Sequence, residues 1–500
     1  MSSLFTAIIT QLRQNTIQHL SLLSRELNAH TAFIALQGAK HHGLDFMAEA
    51  QTAGCRYVLV DADDSAFCKT LGKGADLLTI IPIKNLSQNL GNFAAEFYGY
   101  PSQKLKIHAV TGTNGKTSCS QFIAQALTLL GERCGVIGTL GMGIWPDLKE
   151  IPNTTPDAIS LQRFLAACVE VGVKHVSMEV SSIAIEQGRM QACFLNSAIF
   201  TNLTQDHLDY HGTMEAYGEA KRKLFAFPGL QHKIINADDL FGKTLVAWAK
   251  ERSNVPAFLY SCGEHTRLSP SEILALNADF TVSGIRAQIQ TRQGIGELKS
   301  PLLGQFNLEN LLAVLSWMLA QEIPLEKALS MIPKLKSVKG RLEMLSACGK
   351  PSVVIDYAHT PDALEKALKA LRQHCDGKLW CVFGCGGNRD KTKRPLMGRM
   401  AMQYADHVVI TSDNPRDEAP TKIMAEIALG IHGAMLLDGC VTMLLDRAEA
   451  IKYAINHATP GDIILIAGKG HENYQEIRGE KFPFDDAVVA KKLLTLSEHH

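Results

Sequence analysis

Val110-Thr111-Gly112-Thr113-Asn114-Gly115-Lys116-Thr117-Ser118 decides how this 500-residue chain folds. Leu105 to Val110 ahead of it is a short apolar run with strand character. Behind it, Phe122, Ala126, Leu127 and Leu130 recur at helical spacing. Strand, glycine-rich turn and helix together aim backbone N–H groups and a helix N-terminus at an anion. In such a loop Lys116 neutralises β- and γ-phosphates and Thr117 binds Mg²⁺. Val110 stands where the general G-x-x-x-x-G-K-[ST] pattern has its first glycine, so the spacing is a variant of that pattern. The competing reading is a glycine-rich turn that binds nothing.

The length exceeds what one hydrophobic core supports and predicts roughly three domains. Lys plus Arg number 50 and Asp plus Glu number 50, so no general attraction to nucleic acid or anionic membrane is expected. Of the 12 cysteines only Cys381 and Cys385 lie close together, with no second pair to complete a zinc site. They read as reduced core residues of a cytoplasmic protein. No apolar run approaches the ~18 residues of a membrane span, and Gln11 and Arg13 interrupt the N-terminus before a signal-like core is complete.

Residues 1–100 mix short strands (31–36, 56–60) with a helical stretch near 47–53 and polar loops at Ser24-Arg25 and Gly38 to Gly43. Pro101 to Lys104 is a plausible linker. Over 101–338, candidate strands at 105–110, 174–180, 197–202 and 232–236 alternate with helices, the pattern of a mostly parallel sheet. Ligands gather at the carboxyl ends of such strands. Glu179 and His207 lie at two of these ends and are candidates to face the loop as Mg²⁺ ligands. Glu219 to Lys223 reads as the solvated face of a helix. Phe280 to Ser300 alternates around Gly284 and Gly294 like an antiparallel hairpin. Asn307 and Asn310 share a helical face where amides could read an adenine edge, N-capping being the alternative for Asn307.

Val338 to Arg341 marks the next boundary. Over 339–500, strands at 352–356, 379–384, 407–411 and 462–467 predict a second, Rossmann-like sheet. Gly384 to Arg389 imitates a dinucleotide fingerprint but has Arg389 in place of the third glycine, which excludes NAD there. Arg389, Arg416, Asp413 and Glu472 offer cations for a carboxylate and anions for an ammonium, a set that suits an amino acid. Interlocked surface ion pairs are the alternative.

Thr111 to Thr117, Asn153-Thr154-Thr155-Pro156, Met178 to Ser182, Asp206-His207, Phe306-Asn307 with Asn310, Gly340-Arg341 and Asp356 to Pro361 together resemble the Mur ligases, in that family's motif order. The likeness spans about residues 20–490, and Asp413-Asn414-Pro415-Arg416 is similar to the branch that adds meso-diaminopimelate. The resemblance implies three α/β domains: a small UDP-binding domain (1–100), a central P-loop ATPase (101–338) and a C-terminal Rossmann-like domain for the amino acid (339–500). It implies ATP and Mg²⁺ as co-substrate and cofactor, with UDP-N-acetylmuramoyl-L-alanyl-D-glutamate and meso-diaminopimelate as substrates of a monomer.

Carried over, Gly112, Thr113, Asn114, Gly115, Lys116, Thr117, Ser118, Asn307, Asn310, Arg341 and Asp356 would hold ATP. Leu22, Ser24, Asn153, Thr154, Thr155, Ser181, Gln187 and Arg189 would hold the UDP-muramoyl dipeptide. Arg389, Asp413, Asn414, Pro415, Arg416, Gly468 and Glu472 would hold diaminopimelate. Lys116, Glu179, His207 and Lys221 would be catalytic. Thr117, Glu179, His207 and a carbamylated Lys221 would ligate metal, which replaces the solvated-face reading of Lys221. Two departures from the family's pattern are Ile183, where relatives often have His, and Leu23, where an acidic residue usually precedes Ser24.

Overall fold

A computed structural model describes residues 2–38, 41–66, 78–252, 254–263, 272–281, 283–431 and 439–495. Ala39 and Lys40 of the polar loop, Cys68 and Val282 lie outside the described residues. The chain divides into two compact units, Met1–Leu259 and Tyr260–His500.

The first unit contains two sheets. Strands His19–Ser21, Thr31–Ala35, Tyr57–Asp61 and Thr79–Ile83 pair in chain order, all parallel. Their core is built from Ile34 and Leu59 with Phe93 and Phe97 of the helix Leu90–Phe97. In the larger sheet the neighbours run His232–Asn236, Ser197–Phe200, Lys106–Thr111, His175–Glu179, Cys134–Gly138. These five are parallel, and Gly141–Ile144 and Asp147–Lys149 extend the edge antiparallel. The strands are buried on both faces, as near-continuous apolar runs require. Lys106–Thr111 lies inside this order, between His175–Glu179 and Ser197–Phe200, so both neighbours deliver their carboxyl ends beside the glycine-rich turn.

The second unit begins with an antiparallel meander, Glu272–Thr281, Gly284–Thr291 and Gly294–Ser300, one strand more than the expected hairpin. The buried helix Gln305–Ala320 follows. A six-stranded sheet then runs in the order Glu343–Leu345, Ser352–Asp356, Ile463–Ala467, Leu379–Phe383, His407–Ile410, Val441–Met443, parallel except for its first pair. Helices Pro361–Arg372, Lys393–Tyr404 and Pro420–Ala428 cover one face. Arg447–His457 and Asp486–Thr495 cover the other. Helix Pro361–Arg372 shows the local logic. Thr360 accepts from the Ala363 N–H as N-cap, Pro361 opens the helix, and Leu364, Leu368 and Leu371 line the buried stripe.

Among the described residues, no helix is long and apolar enough to cross a membrane, and the cysteines are free thiols.

Near the start of the central strand, His108 is completely buried. Its Nδ1 lies 2.7 Å from Ser197 Oγ and its Nε2 3.1 Å from His175 Nδ1. Burial, then His175, Lys106 and His232, hold the His108 imidazole well below its ordinary value of 6.5. The folded chain therefore refuses a proton that the unfolded chain accepts, and stability falls as pH drops through that ordinary value. Denaturation midpoints measured between about pH 5 and 7.5 should decline toward acid, and less steeply for His108→Gln; equal slopes would contradict this origin.

Candidate active site

The turn after Lys106–Thr111 takes left-handed backbone at two positions, both glycine. Gly112 has φ +151°, and a Cβ there would overlap Thr201 Oγ1. Gly115, at φ +85°, precedes helix Lys116–Leu129 without any side-chain cap, so no capping side chain consumes the first-turn N–H groups. The neighbouring strand end clamps the turn: Thr113 N–H donates to Asn202 O (2.8 Å) and Asn114 N–H to Asn202 Oδ1 (2.9 Å). Thr201 Oγ1 donates to Asn114 O (2.6 Å). Lys116 Nζ folds back onto the carbonyls of Gly112 and Thr113, each at 2.9 Å.

Glu179 is the anion of this site. Its register places it opposite Val110, and its side chain is fully buried. The carboxylate accepts from Thr117 Oγ1 (2.9 Å), Thr139 N–H (2.8 Å) and Thr139 Oγ1 (3.1 Å). A Cβ on Gly138 would overlap Glu179 Oε1, so a glycine makes room for the carboxylate. Thr139 and Gly138 were not singled out in the sequence, although Gly138-Thr139 ends an apolar run just as the chosen polar clusters do.

The Asn153–Thr155 turn joins the same knot. Thr139 Oγ1 and Thr154 Oγ1 are 3.1 Å apart, and Thr155 Oγ1 donates to the Glu179 carbonyl (3.0 Å). Arg189 Nη1 donates to Thr155 O (2.7 Å) and its Nη2 to Gln187 Oε1 (2.6 Å). Ser181 caps the helix Ser182–Glu186 by accepting from Ala184 N–H. Thr154, Thr155, Ser181, Gln187 and Arg189 are thus linked to the loop, with Asn153 exposed beside them. Leu22 packs on the core of the smaller sheet and Ser24 opens the short turn Ser24–Glu26.

Lys221 sits on helix Met214–Arg222, 1% exposed, which overturns the solvated-face reading for this residue. Its Nζ donates to Gly112 O (2.9 Å) and lies 4.2 Å from the Tyr217 ring centroid. Burial, reinforced by Lys116 and opposed by Asp206, pushes its amine well below the usual lysine range. The Tyr217 hydroxyl is 3.3 Å from Thr113 Oγ1 and burial raises it to about 12. His207 is different: its side chain is 44% exposed, with Nε2 3.5 Å from Asp206 Oδ2. Its ring packs edge-on to Tyr217 at 6.1 Å, so it adjoins the loop through that ring. His211, unforeseen from the sequence, contacts Ser182 Oγ (2.9 Å) and packs on Tyr217.

The second unit carries its own constellation. Asn307 and Asn310 are buried, with Asn307 Nδ2 donating to Leu303 O (2.8 Å). Gly304, not Asn307, is the N-cap residue of that helix, which removes the capping alternative. Asp356 accepts from Leu342 N–H (2.8 Å) and Ala358 N–H (2.9 Å); burial raises its carboxyl and Arg341 opposes the rise. Arg341 lies over the Tyr357 ring at 5.1 Å.

Asp413 and Asn414 are buried. Asn414 Nδ2 donates to Glu472 Oε2 (2.8 Å). Arg416 Nε donates to Glu476 Oε2 (2.9 Å) and Nη1 to Gly387 O (2.9 Å). Gly468 has φ +113°, and a Cβ there would press on Asp413 Oδ2. The structure therefore gathers Asp413, Asn414, Pro415, Arg416, Gly468 and Glu472, while Arg389 stands exposed beyond the Gly386–Gly387 turn.

Family models match the chain in three places. The Mur ligase family catalytic domain covers residues 16–98, the Mur ligase middle domain 110–318 and the Mur ligase glutamate ligase domain 340–470. A protein of Ectopseudomonas mendocina named UDP-N-acetylmuramoyl-L-alanyl-D-glutamate–2,6-diaminopimelate ligase is 44% identical over 489 residues, 96% of each chain. The chain belongs to the Mur ligase family. A Pseudomonas aeruginosa protein of the same name is 45% identical over 97% of this chain and 96% of its own. A solved structure with that name superposes with a TM-score of 0.69 at 37% identity, covering 96% of this chain and 94% of the other. The three-domain α/β architecture with parallel sheets is that of Mur ligases.

Gly138→Ala forces the Glu179 carboxylate off its donors. Since a displacement of about 1 Å at such a site costs roughly 100-fold in rate, turnover should fall by that order, and the thermal midpoint should fall with it because the buried carboxylate loses its hydrogen bonds. Unchanged turnover would show that the carboxylate's position is not critical.

Proposed function

We propose that this Mur ligase is an ATP-dependent amide ligase that adds meso-diaminopimelate to UDP-N-acetylmuramoyl-L-alanyl-D-glutamate, in cytoplasmic peptidoglycan precursor synthesis. The observation that carries the proposal is the amino-acid-sized cluster of Asp413, Asn414, Arg416 and Glu472, in a chain whose near-full-length relatives bear that enzyme's name. Residues 1–100 would hold the UDP end, with Leu22 and Ser24 in contact; 101–338 would bind ATP and 339–500 the amino acid. The chain would act as a monomer.

A carboxylate and an amine do not condense at neutral pH, so the acid needs activation. The γ-carboxylate of the D-glutamyl residue attacks the ATP γ-phosphorus, giving an acyl phosphate and ADP. The diaminopimelate amine then adds to the acyl carbon, loses a proton and expels phosphate. Lys116 and the first-turn N–H groups offset the charge that develops on the transferred phosphoryl group. Asn307, Asn310, Arg341 and Asp356 place the nucleotide. Asn153, Thr154, Thr155, Ser181, Gln187 and Arg189 orient the muramoyl dipeptide. At the distal end of diaminopimelate, Arg416 and Arg389 meet the carboxylate, and Asp413 and Glu472 the ammonium.

The donor set suits Mg²⁺, a hard cation that takes oxygen ligands and leaves room for phosphates and water. Glu179 and Thr117 present oxygens 2.9 Å apart beside the loop, and no ready-made cage of three acidic, His or Cys side chains occurs among the described residues. Thr117 and Glu179 would hold one ion, and His207 with carbamylated Lys221 a second. Bound there, Mg²⁺ would supply charge neutralisation for the phosphates. The lowered amine of Lys221 fits carbamylation: a neutral amine adds CO₂ and releases a proton, turning a buried neutral group into an anion.

Two experiments test this function. Incubation with ATP, Mg²⁺, the UDP-muramoyl dipeptide and either meso-diaminopimelate or L-lysine should give the product mass with diaminopimelate. Product mainly with lysine would overturn the specificity, and product with neither would overturn the proposal. Lys221→Ala should lose activity and recover part of it when a short carboxylate is added; full activity without rescue would remove the metal-ligand role.

A further inference from the structure

Lys469 is a cation in the amino-acid cluster with no task in the chemistry above. Its side chain is completely buried. Nζ donates to Asn414 Oδ1 (3.1 Å) and Glu472 Oε2 (3.1 Å) and lies 5.5 Å from the Tyr474 ring centroid. An ammonium only donates, so the oxygen of the Asn414 amide must face Lys469, where it also accepts from Glu476 N–H (2.9 Å). The amide NH₂ must then face Glu472, where it donates to Oε2 at 2.8 Å. Both donors fall on one carboxylate oxygen, which leaves Oε1 of Glu472 for an incoming ammonium. Arg416 is divided in the same way: Nε and Nη1 are committed to Glu476 and Gly387, which leaves Nη2 for a carboxylate.

Charge makes Lys469 more than a strut. Asp413, Glu472 and Glu476 are acids of this pocket, and Arg416 and Lys469 are its cations. The nearby Arg447 is bound to Asp486, with Asp413 at 3.9 Å. With Lys469 present the pocket is nearly balanced and suits a distal end carrying both ammonium and carboxylate. Without it, these acids would outnumber the cations three to one and would favour a bare ammonium.

We propose that Lys469 is a positioning and specificity-determining residue: it orients Asn414 and Glu472 for the zwitterionic end of the acceptor and disfavours an acceptor ending in an ammonium alone. The proposal rests on the function proposed above.

The test compares wild type, Lys469→Met and Lys469→Arg with both amino acids. For Lys469→Met, KM for diaminopimelate should rise about tenfold, with kcat within about threefold and KM for the muramoyl dipeptide unchanged. The ratio of kcat/KM for L-lysine over diaminopimelate should rise about tenfold, and Lys469→Arg should restore much of it. Should Lys469→Met fail to fold, Asn414→Asp cancels the same charge and should shift the ratio in the same direction. Wild-type KM and an unmoved ratio, or a loss confined to kcat, would overturn the proposal. Wild type inactive with both amino acids would instead overturn the function on which it rests.

Discussion

The buried carboxylate of Glu179 is the constraint on which the nucleotide end of the site depends. A fully buried acid is costly unless hydrogen bonds satisfy it, and here Thr117 does so from the start of the loop helix and Thr139 from the turn between strands Cys134–Gly138 and Gly141–Ile144. Satisfying that charge fixes the start of the loop helix, the end of strand Cys134–Gly138 and, through Thr154 and Thr155, the following polar turn. Parallel strand order makes this possible, because the central strand's neighbours end on the same side as the glycine-rich turn.

The amino-acid cluster in the second unit uses the opposite strategy. Its ionic groups are numerous and divided among partners, so each side chain keeps part of its hydrogen-bonding capacity in reserve. Such preorganised polar groups lose little freedom when a zwitterion arrives. Arg394, completely buried against Glu418, extends that order to the Asn388 backbone, which donates to Glu418.

Much of this was legible in the sequence because it is local. The strand–turn–helix around Lys116, the second parallel sheet and the polar strand ends follow from periodicity and turn chemistry, and their structural bounds differ by a residue or two. Long-range complementarity was not legible. Gly138 looks like any strand-end glycine until Glu179 is seen to need its missing Cβ. The first strand of the meander, Glu272–Thr281, lacks the clean alternation of its partners. Lys221 reads as a surface lysine in its helix, and only the packing of Tyr217 and the loop shows it buried. The setting of His207 was not legible either: its place at a strand end suggested an inward group, and its side chain stands 44% exposed, edge-on to Tyr217.

The most direct test of the central claim, that the substrate carboxylate is activated by phosphoryl transfer before the amine attacks, is to label both oxygens of the D-glutamyl γ-carboxylate with ¹⁸O and weigh the released phosphate. Attack on the γ-phosphorus followed by acyl–oxygen cleavage carries one label into phosphate and leaves the other in the amide. Unlabelled phosphate, with amide product still formed, would contradict the account.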